Sequence, residues 1–176
     1  MIAAVVGPSG AGKDTLIEGA LAAWPSLRLA RRVITRPTEA GGEDFDGVTP
    51  DAFARMQRDG LFALDWQAHG LCYGIPRDQL TGDGPVIFNG SRAALPQAVA
   101  RLPGLRVVLV TAPTALLARR LAARGRETED DIAARLDRAG FALPPGIAHV
   151  TVVNDASPEQ GIARLLAALQ PDRVLR

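Results

Sequence analysis

The stretch GPSGAGKDT, residues 7–15, decides the fold. It follows the apolar run from Ile2 to Val6, whose β-branched residues suit a strand buried on both faces of a parallel sheet. After it, Leu16, Ile17, Ala20 and Leu21 recur at helical spacing from Lys13 to about Ala23, and Pro25 closes the segment. Strand, glycine loop and helix in that order are the setting of the phosphate-binding pattern GxxxxGK[ST]. The glycines let the backbone turn back and point successive N–H groups inward, and the helix N-terminus adds a partial positive charge. Gly7, Pro8, Ser9, Gly10, Ala11, Gly12, Lys13, Asp14 and Thr15 are therefore the candidate nucleotide-binding residues, with Lys13 reaching the β and γ phosphates. A tight glycine turn alone would explain the glycines but neither Lys13 nor Ser9.

The eighth letter departs from the pattern. A serine or threonine hydroxyl there helps hold the Mg2+ of a nucleoside triphosphate, and Asp14 stands in its place. Thr15 cannot substitute, because one helical step rotates its side chain by about 100°. Two readings stay open. The carboxylate binds Mg2+ directly or through water, or it is an N-terminal acidic residue that favours the helix dipole.

The chain of 176 residues fits a single domain. Its 47% hydrophobic and 22% charged residues are those of a globular protein, and the net charge of +1 argues against a large nucleic-acid surface. The opening MIAAVV is too short for a signal peptide or a membrane span, so a cytoplasmic protein without membrane contact is expected. Of the 20 basic residues only Lys13 is a lysine, which suggests that a compact ammonium is needed in the loop. Cys72 is the only cysteine and reads as a packing residue.

Beyond the loop the pattern predicts a strand over Leu27–Thr35, a polar glycine-rich loop through Gly47, and a helix over about Pro50–Asp59 capped by Thr49. Short strands over Leu61–Trp66 and Leu71–Tyr73 flank His69-Gly70, making a small flap. There follow a strand over Val86–Asn89, a helix near Arg92–Arg101, a strand over Arg106–Thr111 and a helix over Pro113–Arg124. After the break GRETEDD come a helix over about Asp130–Ala139, a strand over Val150–Asn154 and a helix over Pro158–Leu169. The alternation implies an α/β three-layer sandwich with a mostly parallel sheet, its ligands beyond the carboxyl ends of the strands.

Two arginine clusters fall in loops at that edge. Arg36, held by Pro37 and the strand before it, is the candidate to clamp an acceptor phosphate, whereas Arg31 and Arg32 read as a solvated charged face. Arg120 and Arg124 share one helical face, and Arg135 comes from the next helix; together they describe a lid that neutralises charge and excludes water. Salt bridges to Glu127, Glu129, Asp130 and Asp131 are the other reading, above all for Arg126. His69 is a candidate polar lining of the acceptor pocket, and His149 reads as structural. No Ser-His-Asp set is evident, and an acceptor that is already an anionic phosphate needs no general base.

GPSGAGK, ITR, the flap ending in Tyr73-Gly74, the arginines 120, 124 and 135, and VVND resemble, in order, the guanylate-kinase-like branch of P-loop kinases. The guanine-reading elements are poorly met: Glu39 stands for a second arginine, GEDFDGVTPDAF has no tyrosine, and Asn89 replaces an acidic residue at its strand end. GKD, LDWQAHGLCYG and FNGSRAALPQA are instead similar to the ribose 1,5-bisphosphate phosphokinase family of the phosphonate pathway. That resemblance implies one kinase domain over 1–176, with an acceptor flap over about 36–80 and a lid over about 119–135. It also implies ATP and Mg2+, and transfer of the γ-phosphoryl group to a small sugar bisphosphate, giving 5-phosphoribosyl 1-diphosphate. Lys13, Arg120, Arg124 and Arg135 would be catalytic; Arg36, Arg92, Asn89, His69 and Tyr73 would meet the acceptor. Asn154 and Asp155 would lie near the adenine, or form a turn after the last strand. Beside the resemblance's Mg2+, Asp14 and Asn89 together suggest that a carboxylate missing at one strand end is supplied from the loop's helix. A guanylate kinase and a non-catalytic guanylate-kinase-like binding module are the alternatives.

Overall fold

The computed structural model describes residues 1–37, 44–123, 132, 136 and 142–170. Strand β1 (Ile2–Val6) is flanked on both sides, as its unbroken apolar run requires. With β2 (Arg28–Leu29), β7 (Val86–Asn89), β8 (Arg106–Thr111) and β9 (Val150–Val153) it forms a sheet of order β2-β7-β1-β8-β9 in which every pairing is parallel. Ala3 and Val5 face α1 (Lys13–Ala23), α4 (Thr114–Ala123) and α5 (Pro158–Leu169) through Leu16, Ile17, Ala20, Leu117 and Leu165. Ala4 and Val6 face the other way, onto Leu95 and Ala98 of α3 (Leu95–Arg101) and onto Leu64, Trp66 and Ile75 of a second sheet.

That second sheet has the order β4 (Phe45–Gly47), β3 (Arg32–Ile34), β6 (Leu71–Pro76), β5 (Phe62–Ala68). Its outer face is closed by α2 (Pro50–Arg58), where Phe53 stacks on Phe62 at 4.7 Å beside Val33. Thr49 caps α2 through its Oγ1, which accepts from Ala52 N at 3.2 Å. Strands β5 and β6 are joined by His69 and Gly70, both at positive φ (53° and 74°), the two-residue turn whose twist matches the hairpin. Among the described residues no helix is long and apolar enough to cross a membrane.

The element bounds expected for α1, β7, β8 and α5 agree with the structure. The expected strand over Leu27–Thr35 is two strands. Arg28 and Leu29 pair with β7, whereas Arg32–Ile34 pairs with β4 and β6, so the chain crosses between sheets at Ala30 and Arg31. β4 lies in what reads as loop, because its three residues hold only by pairing with β3. The expected helix near Arg92 opens as a short 3-10 turn, Arg92–Ala94, capped by Ser91, before α3 begins. Of the helix expected over Asp130–Ala139 only Ile132 and Leu136 are described, both helical, and most of the expected lid lies outside the described residues.

Candidate active site

Close approach explains the loop's glycines. A Cβ on Gly7 would collide with the carbonyl oxygen of Val110 in β8, and one on Gly12, at φ +86°, would lie 2.5 Å from Asn154 Nδ2. Lys13 Nζ donates to the carbonyls of Gly7 and Pro8 at 3.0 and 3.1 Å. Ala11 O accepts from Asn154 Nδ2 at 2.8 Å and from Arg120 Nη1 at 3.4 Å. The loop closes on itself through Ala11 N, which donates to Pro8 O at 3.3 Å.

Asn154 carries much of this order. It is 5% exposed, its backbone N donates to Thr111 O at 2.7 Å, and its backbone O accepts from Arg120 Nη2 at 3.2 Å. Loss of a buried bond of this kind costs about 1–3 kcal/mol if it leaves a group unsatisfied. Gly161 of α5 makes the space: a Cβ there would meet Leu16 and Asn154 at 2.7 and 2.8 Å. Asp155 is exposed and pairs with Arg164 at 2.7 Å, and this hydrogen bond holds its carboxyl below the usual carboxylate range.

At the end of β7, Asn89 Nδ2 donates to Asp14 Oδ1 at 3.1 Å, joining residues 75 apart in sequence. Asp14 is exposed in the first turn of α1, next to Thr15, also exposed. The two positions that exchange carboxylate and amide in the sequence are thus in contact. Arg32 overturns the expectation of a solvated face. It is 8% exposed, donates to Asn89 O at 2.8 Å and lies 5.3 Å over the Tyr73 ring, which stacks on Trp66. Arg31 does meet solvent, bridging Asp44 and Asp46 at 3.0 and 3.1 Å.

Arg36 follows β3, with its guanidinium 4.4 Å over the ring of the buried Phe45. Thr35 anchors that corner, donating from its backbone to Cys72 O at 3.0 Å and accepting Cys72 N on Oγ1 at 2.9 Å. Arg92 is half-buried beyond β7, and burial lowers its guanidinium below the ordinary value. His69 stands exposed at the hairpin tip. Arg124 and Arg135 lie outside the described residues. Sequence reasoning missed Arg32, whose strand is buried at all three positions and shows no alternation to mark it, and Gly161, for which a lone glycine inside an amphipathic helix was a usable signal.

Parallel sheet, glycine loop and side sheet define a P-loop protein of guanylate-kinase-like fold. The crystal structure of guanylate kinase from Anaplasma phagocytophilum matches with a TM-score of 0.70 over 99% of this chain and 87% of that one, at 17% identity, a likeness of fold alone. No protein-family model matches. Ribose 1,5-bisphosphate phosphokinase PhnN of Ruegeria sp. (strain TM1040) is 47% identical over 176 residues, 98% of this chain and 93% of the relative. The bifunctional ribose 1,5-bisphosphokinase-thymidine phosphorylase of Cupriavidus necator is 51% identical over 170 residues, 94% of this chain but 28% of the relative's length. The chain belongs to the ribose 1,5-bisphosphate phosphokinase family.

Proposed function

We propose that the chain transfers the γ-phosphoryl group of ATP to the 1-phosphate of ribose 1,5-bisphosphate, giving 5-phosphoribosyl 1-diphosphate and ADP. The observation that carries this reading is the contact of Asp14 with Asn89 at the carboxyl edge of the sheet. A guanine base presents N–H groups that call for an acceptor carboxylate at a strand end. Here the strand end offers an amide whose NH2 is directed to Asp14, which suits an acceptor without a base. The names carried by relatives of near-equal length support the same substrate.

The residues fit the nucleotide and its cation. The close approaches at Gly7 and Gly12 fit a loop wrapped around phosphate oxygens, and Lys13 Nζ lies against the loop's own carbonyls of Gly7 and Pro8. Among the described residues no group of three or more His, Cys, Asp or Glu gathers. One carboxylate, Asp14, with phosphate oxygens and water is a donor set that Mg2+ accepts. When bound, Mg2+ supplies charge neutralisation between the phosphates. Gly7 through Thr15 hold the triphosphate, and Asn154 serves the nucleotide by tying Ala11; Asp155 lies at the adenine end.

Lys13 and Arg120 neutralise the charge that develops as ADP leaves, and Arg124 and Arg135 join them from the lid. Arg36 and Arg92 clamp the two acceptor phosphates, with Tyr73 and His69 on the sugar side. Since the nucleophile is a phosphate oxygen already ionised near neutral pH, positioning and neutralisation supply the rate. One domain comprises the core, an acceptor flap over about 36–80 and a lid over about 119–135, and its use of ATP assigns it to the cytoplasm. Coupled ADP release with ribose 1,5-bisphosphate and with GMP tests the proposal. Fast turnover of the bisphosphate alone is expected; turnover of GMP alone, or Mg·ATP binding without transfer to either, would sink it.

A further inference from the structure

A charged side chain removed from water is costly unless its N–H groups meet acceptors, so a buried arginine calls for an explanation. Arg32, 8% exposed, is such a residue, while Arg31 beside it lies in solvent. Its guanidinium bridges two parts of the fold. It lies over Tyr73, in the small sheet, and it donates to the main-chain oxygen of Asn89, the last residue of β7 in the main sheet, at 2.8 Å. On its other side the Asn89 backbone is set by β1, in register with Val5, and Gly90 N donates to Val5 O at 2.9 Å. From this held backbone the side-chain amide reaches Asp14 at 3.1 Å. A carboxylate only accepts, so that contact also decides which end of the amide faces Asp14.

We propose that Arg32 is a positioning residue for phosphoryl transfer: by holding Asn89 it orients the Asp14 carboxylate toward the divalent cation that accompanies ATP. The inference rests on the reading of Asp14 as the cation's protein ligand. An exposed carboxylate on a helix is otherwise able to rotate, and a donor on one of its oxygens reduces the ordering that cation binding must impose. Arginine suits the task better than lysine, because its planar fork can lie over an aromatic ring and donate in the fork's own plane at the same time.

Calorimetric titration of Mn2+ into the protein saturated with a non-hydrolysable ATP analogue reads the cation affinity without turnover. Arg32→Met is expected to weaken it roughly tenfold, and Arg32→Lys, which keeps a cationic donor but loses the stack, roughly threefold. Affinity for the analogue without metal stays within about twofold in both. In an Asp14→Ala background, which leaves no oxygen ligand at this loop position, neither substitution weakens Mn2+ further. If Arg32→Met does not fold, Arg32→Lys and its loss of effect in the Asp14→Ala background decide the matter. Unchanged cation affinity in the Arg32 variants, or an equal loss with and without Asp14, overturns the positioning role while leaving Asp14 as ligand. Unchanged affinity in Asp14→Ala itself overturns both.

Discussion

Gly161→Ala sets two known effects against each other. Within a helix alanine is favoured over glycine by about 0.8–1.0 kcal/mol, so on propensity alone the variant would be the more stable protein. The structure opposes this: the new Cβ would lie 2.7 Å from Leu16 Cδ2 and 2.8 Å from Asn154 Oδ1, and both neighbours are buried. Overpacking of this kind costs about 1–3 kcal/mol, so the net is a loss of about 1 kcal/mol, equivalent to a fall in Tm of about 2–4 °C for a chain of this size. The strain falls on Asn154, whose amide supports Ala11 O at 2.8 Å. Loosening that bond should weaken ATP binding about fivefold, the equivalent of about 1 kcal/mol. Urea denaturation at constant slope reads the first effect, and calorimetric titration with an ATP analogue reads the second. A variant with a raised midpoint and unchanged nucleotide affinity would refute the argument that α5 is fitted to the loop through Asn154.

Three further outcomes are expected. Lys13→Ala should lower kcat by about a hundredfold or more, since a preorganised charge at the transferring group is typically worth that much; near-normal turnover refutes the site. Arg36→Ala should raise the KM for the sugar bisphosphate about tenfold, in the range of a charge-assisted pair, and leave that for ATP within twofold; an effect confined to ATP shows Arg36 to be misassigned. Arg164→Met should return the Asp155 carboxyl upward toward the ordinary range, because the hydrogen bond from Arg164 is what lowers it. A carboxyl depressed by folding supports the fold above its unfolded value and loses that support as pH falls through the folded one. NMR titration of Asp155 checks this, and an unmoved titration contradicts it.

The helices were legible where local chemistry ends them: Thr49 and Ser157 cap α2 and α5, and each has proline at its first position. The glycine loop was legible because its spacing and its flanking strand and helix occur together. The crossing at Ala30 and Arg31 was not, since LRLARRVI carries no glycine or proline and only the hydrogen-bond partners change, from β7 to β6. For the same reason Arg32 passed for a surface residue: its burial comes from Tyr73 and Asn89, 41 and 57 positions away, which local pattern does not bring together. The nearness of Asp14 and Asn89 was legible in outline, because both stand at the carboxyl edge of adjacent parallel strands, β1 through its loop and β7 directly.

The proposed reaction is defined by where the phosphoryl group goes, and phosphorus NMR of the products reads this directly. With ATP, Mg2+ and ribose 1,5-bisphosphate, a new pair of coupled diphosphate resonances on carbon 1, an unchanged 5-phosphate resonance, and ADP in equal amount are expected. Release of ADP with free phosphate and an unaltered sugar bisphosphate, or conversion of GMP to GDP in its place, would contradict it.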